Sequence, residues 1–187
     1  MIFKIIWFVR FLFLKPFLGR SSFFSYWGKP IFLSGLKNIF LGHKVRIFPH
    51  NRIEVFDNGS LSIEDNVSIQ QNVHITVADE MIIGEGSLIL ANVFITDIEH
   101  TYSEFNLAPL EKKIEVRKTS IGKNCFIGIG ASIQAGTVLG DNCIVGTNAV
   151  VRGEFPSGSV IVGVPARVIR NYNEKTASWD RVKSNEH

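Results

Sequence analysis

The chain has 187 residues and a mass of 20.9 kDa, enough for one domain with a small appendage. Hydrophobic residues at 45% and charged residues at 20% exclude a disordered chain, and a net charge of +3 excludes the dense basic clustering of a dedicated nucleic-acid binder. Two cysteines are too few for a disulfide scaffold or an all-cysteine zinc site.

Residues 1–38 form an apolar, basic N-terminal segment. Its first part, MIFKIIWFVRFLFLKPFLG, is broken by Lys4, Arg10, Lys15 and Pro16. No run reaches the roughly 18 apolar residues that a spanning helix needs. The usual small-residue cleavage site is missing, so a cleaved signal peptide is not expected. Two placements stay open. Residues 1–28 can lie in a membrane interface, or the segment can cover the end of the core or a neighbouring subunit.

A six-residue repeat follows. It is weak from Leu41, Ile47 and Ile53, then breaks at Asp57-Asn58-Gly59-Ser60, which reads as a turn. It resumes at Ile63, Ile69 and Ile75, shifts by two residues, and continues at Ile83, Ile89 and Ile95. After an interruption over 101–120 it is clearest from Ile121: IGKNCF, IGIGAS, IQAGTV, LGDNCI, VGTNAV, VRGEFP. The first position is always aliphatic, the second is Gly in four of the six blocks, and the fifth is small in the first five.

A period of six is neither helical nor simply alternating. It fits short parallel strands joined by tight turns, three hexapeptides closing a triangular coil of about 18 residues. The aliphatic position points inward, and the small position fits the corner. Glycine at the second position is expected to serve a turn conformation that a Cβ would strain. Cys125 and Cys143, 18 residues apart, are expected to stack as small corner residues.

This repeat resembles the left-handed parallel β-helix of the hexapeptide-repeat acyltransferases, over roughly Leu41 to Arg170. The hand comes from the resemblance, since spacing cannot give it. The expected fold is therefore all-β: a β-helix domain over 39–170, one excursion loop near 101–120, and a tail over 171–187 whose composition allows a short helix. The resemblance also implies a homotrimer with active sites between subunits.

Within the chain, NVFITDIEHTY (residues 92–102) resembles the active-site segment of the sugar O-acetyltransferases, the branch of the galactoside and the colanic-acid or O-antigen enzymes. There a D-x-x-H element precedes the excursion loop, and its histidine is the general base. That points to His100, whose imidazole suits proton removal near neutral pH. Asp97 is then a candidate to orient the acceptor or assist the histidine. Gln71 stands where galactoside acetyltransferases carry an acceptor-binding Asn, and Asn72 is its neighbour. Glu99 fills a small-residue position, so it is expected to be displaced toward the site or the subunit interface.

VIVGVPARVIRN (residues 160–171) resembles the family's G-x-P-A-[KR]-x-[IL] ending. The resemblance implies acetyl-CoA as donor, with Arg167 and Arg170 at its phosphate-contacting positions, Arg152 at a neighbouring contact position, and the backbones of Ile129 and Thr147 along the pantetheine arm. The Ile129 N–H is the expected oxyanion donor. Phe126 replaces a Trp found in many relatives.

The expected reaction is direct acetyl transfer to a hydroxyl of a surface-polysaccharide sugar, with a lipid-linked glycan, a free sugar and a nucleotide-sugar open as acceptors, in the cytoplasm, with attachment to the inner face of the membrane open. No metal is expected. The γ-class carbonic anhydrases share the coil but need three histidines on facing coils; here Phe105 occupies the position of a ligand, and no His follows His100 until His187. A nucleotide-sugar N-acetyltransferase and a non-catalytic scaffold subunit are the alternatives.

Overall fold

The structure is a computed structural model that describes residues 2–101, 103 and 105–182. Its body is a left-handed parallel β-helix of about seven turns. Three faces of seven, nine and six strands enclose one axial core. Residues 18 apart pair in register: Ile121 with Leu139, Ile127 with Val145, Ile133 with Val151. The first-position side chains therefore stack coil on coil, each no more than 3% exposed from Leu41 onward. Removing each from water contributes about 2 kcal/mol.

The fifth-position residues Cys125, Ala131, Thr137, Cys143 and Ala149 are buried at the corners. Both thiols face backbone carbonyls: Cys125 Sγ lies 3.2 Å from Gly140 O, and Cys143 Sγ lies 3.3 Å from Pro156 O. The cysteines are thus packed corner residues, as expected.

The role of the second-position glycines differs from the expectation. Gly122, Gly128, Gly140 and Gly146 do not have positive φ. They are there because the next coil leaves no room: a Cβ on Gly122 would sit 2.6 Å from the carbonyl carbon of Gly140, and one on Gly140 would sit 2.5 Å from the nitrogen of Ser157. The left-handed turn falls at the fourth position, where Asn124, Asn142 and Asn148 have φ of 52° to 58°. Asparagine tolerates that region because its short side chain can satisfy the local backbone.

The β-helix starts well before residue 39. Strands Arg20–Ser21, Tyr26–Trp27 and Phe32–Ser34 make a first coil, pairing with the second as Ser21 with Leu41, Trp27 with Ile47 and Leu33 with Ile53. Aromatic residues replace the aliphatic stack here, and fully buried Trp27 hides the hexapeptide signal. The two-residue offset between Ile75 and Ile83 reflects two longer strands, His74–Val77 and Glu80–Ile83.

Helix Ile2–Leu14 closes this end of the coil. Phe11 is fully buried, and Trp7 packs against Tyr26 and Phe48 with ring centroids 5.7 and 5.3 Å away. The cover over the core is thus one role of the segment.

At the other end, the described part of the tail is strand, not helix. Ala166–Asn173 folds back antiparallel on Ser159–Gly163, and Ser178–Arg181 adds beyond it, with Tyr172 facing Trp179. Edge pairing on the nine-stranded face satisfies this backbone along its length, whereas a helix of a few turns leaves the groups of both ends unpaired. The remainder of the 171–187 segment, from residue 183, lies outside the described residues.

Candidate active site

The chain leaves the coil at Asp97. The preceding strand, Phe94–Thr96, belongs to the six-stranded face. Asp97 is fully buried, and its carboxylate accepts the N–H groups of Ala78 (2.9 and 3.0 Å) and Asp79 (2.9 Å) one coil earlier. Burial pushes its pKa above the ordinary value, opposed by the N–H groups of Asp79, Ala78 and Asp97 itself. Asp97, a candidate to orient the acceptor or assist His100, stands at the root of the excursion with its oxygens engaged by backbone.

From this anchor a hairpin projects. Strand Ile98–His100 pairs antiparallel with Ile114–Val116, and Arg117 N–H returns to Asp97 O at 2.8 Å. The excursion thus begins at Ile98, earlier than the expected 101. His100 stands on this arm and not on the rigid coil. Cross-strand pairs share a face, so His100 lies with Ile114, and Glu99 lies with Glu115 on the opposite side. His100 is exposed, and among the described residues its ring has no hydrogen-bond partner. Tyr102 lies outside the described residues.

Two facing glutamates would repel, and arginines resolve this. Arg117 reaches Glu99 at 3.2 Å and Glu115 at 2.8 Å. Arg152, two coils further along, grips Glu99 with both terminal nitrogens, at 2.8 and 2.5 Å. Arg152 was expected at the donor site; the structure pairs it with Glu99, across a cleft of about 210 Å³ lined by Phe94, Thr96, Ile98, Gln134 and Ala135. Glu99 is indeed displaced from the coil, onto the arm. Arg117 was not singled out in the sequence, where only the alternation of Glu115 and Arg117 signals a solvent-facing strand.

The other predicted residues lie elsewhere. Gln71 and Asn72 are exposed in the turn between the nine- and six-stranded faces, and Asn72 has φ of 59°, so the turn itself explains an asparagine there. Ile129 and Thr147 lie at the same corner in later coils, exposed and stacked, with Asn148 N–H bonded to Ile129 O at 2.9 Å. Gly130 N–H bonds to Ala91 O of the preceding coil at 3.0 Å and Ala131 N–H closes the turn on Gly128 O at 3.2 Å, while the Ile129 N–H has no acceptor among the described residues. At a different corner, between the seven- and nine-stranded faces, the N–H groups of Lys123 and Asp141 are taken up by the Asp141 and Ser157 side chains.

Arg167 and Arg170 face Val162 and Val160 across the terminal strand pair. A register shift between Val160 and Ile161 leaves Ile169 unopposed, which turns both arginines to one face although they are three apart. Phe126, Ile144, Val160 and Arg170 form a row along that face. The histidine arm and the donor-position row thus stand at opposite edges of the six-stranded face in one chain. Among the described residues, no group of three or more His, Cys, Asp or Glu could hold a metal ion.

The description "Bacterial transferase hexapeptide (six repeats)" matches residues 118–153. WbbJ of Escherichia coli strain K12, provisionally named a lipopolysaccharide biosynthesis O-acetyl transferase, is 35% identical over 116 residues, 58% of this chain and 59% of WbbJ. Galactoside O-acetyltransferase of the same strain is 29% identical over 108 residues, 56% of this chain and 51% of that protein. The matches thus span little more than half the length of these relatives. Among solved structures, a variant of AntD, an N-acyltransferase from Bacillus cereus crystallised with dTDP and coenzyme A, superposes with a TM-score of 0.72 at 18% identity, over 88% of this chain and 90% of that one. Repeat and coil geometry agree with the matched family model: this chain carries a hexapeptide-repeat β-helix, and over little more than half its length it is similar to proteins named as O-acetyltransferases.

Proposed function

We propose that the protein is an acetyl-CoA-dependent O-acetyltransferase that modifies a sugar hydroxyl, in the making of a surface polysaccharide such as an O-antigen or capsule. The observation that carries this reading is His100: an exposed imidazole with a free ring, held on an arm whose root is fixed by Asp97 and Glu99. Sequence relatives named as O-acetyltransferases support the same class.

His100 removes the proton from the acceptor hydroxyl as its oxygen attacks the thioester carbon. The carbonyl becomes an oxyanion, which the free Ile129 N–H stabilises. Collapse breaks the C–S bond, and the departing CoA thiolate takes the proton back from the imidazolium. Neither cysteine takes part, because both are sealed in the coil corners. Thr147 lies along the same groove, and Arg167 and Arg170 supply cations for the CoA phosphates. Gln71 and Asn72 are the acceptor-side candidates, and Arg152 acts through Glu99.

Because the arm and the donor row flank the six-stranded face, one chain does not close the site. A homotrimer would let the arm of one copy meet the donor groove of the next. CoA thioesters are cytoplasmic, which puts the reaction there, with residues 1–28 against the inner face of the membrane when the acceptor is a lipid-linked glycan.

The test is transfer of radiolabelled acetyl from acetyl-CoA to a polysaccharide repeat unit, with His100→Ala beside it. An alkali-labile product, reduced about 10²–10⁴-fold in the variant while acetyl-CoA binding persists, is expected. Alkali-stable label would establish an amide and the N-acetyltransferase reading. Failure to bind acetyl-CoA would overturn the donor groove and leave a scaffold.

A further inference from the structure

The first 53 residues contain nine Lys or Arg and no Asp or Glu; the remaining 134 contain eleven against seventeen. The coil is therefore charged oppositely along its length, positive at the end that carries the helix and negative beyond. That positive end is also where apolar surface is exposed. Helix Ile2–Leu14 buries only Phe11 fully, while Ile2, Phe3 and Phe13 are 70–74% exposed. Phe17, Phe23 and Phe24 beside it are 64–70% exposed. Lys15 Nζ lies 3.1 Å from the Phe23 ring centroid, tying the helix end to the first coil and leaving the cation at the edge of the aromatic patch.

We infer that this end of the β-helix docks on an anionic lipid bilayer, with the helix lying in the interface. This deepens the membrane contact proposed above by naming its chemistry and orientation. The helix has 13 residues and reaches about 20 Å at 1.5 Å per residue, against an apolar bilayer core of about 30 Å. Among the described residues, no helix is long and apolar enough to cross a membrane. Partial immersion suits an element with apolar side chains on its outer surface and Lys4 and Arg10 among them.

Charge complementarity selects the occupant. An anionic surface attracts the basic end and repels the acidic body, so the coil stands helix-first on the membrane. A second copy of the chain would bring two basic ends together, which the absence of any acidic partner in residues 1–53 disfavours. Trp7 on the inner side of the helix packs against Tyr26 of the first coil, which seats the helix and keeps the other apolar residues outward.

The experiment is co-flotation of the full chain with phosphatidylcholine vesicles, with and without phosphatidylglycerol, over a salt series. Binding to the anionic vesicles alone, weakened by salt, is expected. K4E/R10E and, separately, I2S/F3S/F13S should each cut the bound fraction on the order of tenfold or more, with the melting temperature of the coil unchanged. Equal binding to neutral vesicles would overturn the anionic assignment. Absence of binding to either vesicle, while acetyl transfer to a soluble acceptor persists, would overturn the docking face and leave the catalytic reading standing. A fall in oligomer size in I2S/F3S/F13S, without vesicle binding by the parent chain, would assign the patch to a second copy.

Discussion

Arg152 closes a bidentate ion pair on Glu99, 53 residues away in sequence, and so joins the sixth coil to the arm that carries His100. Glu99 is only 14% exposed, and its other neighbour is Arg117 at 3.2 Å. Removing either partner of the bidentate pair should therefore loosen the arm. We expect Arg152→Ala and Glu99→Gln to lower kcat for acetyl transfer several-fold with little change in acetyl-CoA affinity. Their double variant should be no worse than the worse single, with a coupling energy of about 1 kcal/mol in a melting-based cycle. Additive effects would mean that the pair does not act as a unit.

Asp97 leads to a prediction on stability. Its carboxylate is the sole side-chain acceptor for the N–H groups of Ala78 and Asp79 in the described structure. Asp97→Ala leaves both donors without that partner and should cost about 3 kcal/mol in denaturant unfolding. Protease cutting within 98–118 should rise at the same time.

The same residue gives a pH dependence. Burial raises its folded pKa above the unfolded value, so the native state keeps a proton that the unfolded chain has lost. Unfolding then releases a proton between the unfolded and the raised folded pKa, and stability falls as pH rises through that interval. Asp97→Asn should flatten this part of the stability profile. An unchanged slope would assign it to other carboxylates.

Glycine and asparagine positions should respond differently. Gly140→Ala drives a Cβ against the Ser157 backbone and should destabilise by about 1–3 kcal/mol. Asn142 has φ of 58°, so Asn142→Ala should cost about 1 kcal/mol and Asn142→Gly should be close to neutral. Melting temperatures of the three variants check the order.

The cysteines should be inert in the native state. Both are buried, and each thiol donates to a carbonyl, an arrangement that needs the proton in place. A disulfide reagent such as DTNB should titrate neither until denaturant is added. Rapid reaction of either in the folded protein would show that the corners open.

Inward aliphatic and small corner residues recur every six positions whatever their neighbours, so the repeat from Ile63 onward was enough to determine the coil. The strings around His100 and the VPAR ending stood out by their similarity to a known family, and the structure adds where they lie on the coil. Where local pattern and long-range contact diverge, the sequence was silent or misleading. The first coil was hidden because Trp27 does the work of an isoleucine. The tail looked compatible with helix, yet an open sheet edge supplied better partners for its backbone. Asp97 stood out through the D-x-x-H resemblance; only the position of the Ala78–Asp79 turn showed where its oxygens go. The second-position glycines read as turn residues, whereas the close approach of the next coil requires them. The Glu99–Arg152 pair spans two coils, and no spacing rule connects them. Periodicity is a property of neighbours along the chain, and sequence carries it fully. The destination of a carboxylate, or the room beside a glycine, depends on which coil stacks against it, and only the tertiary structure decides that.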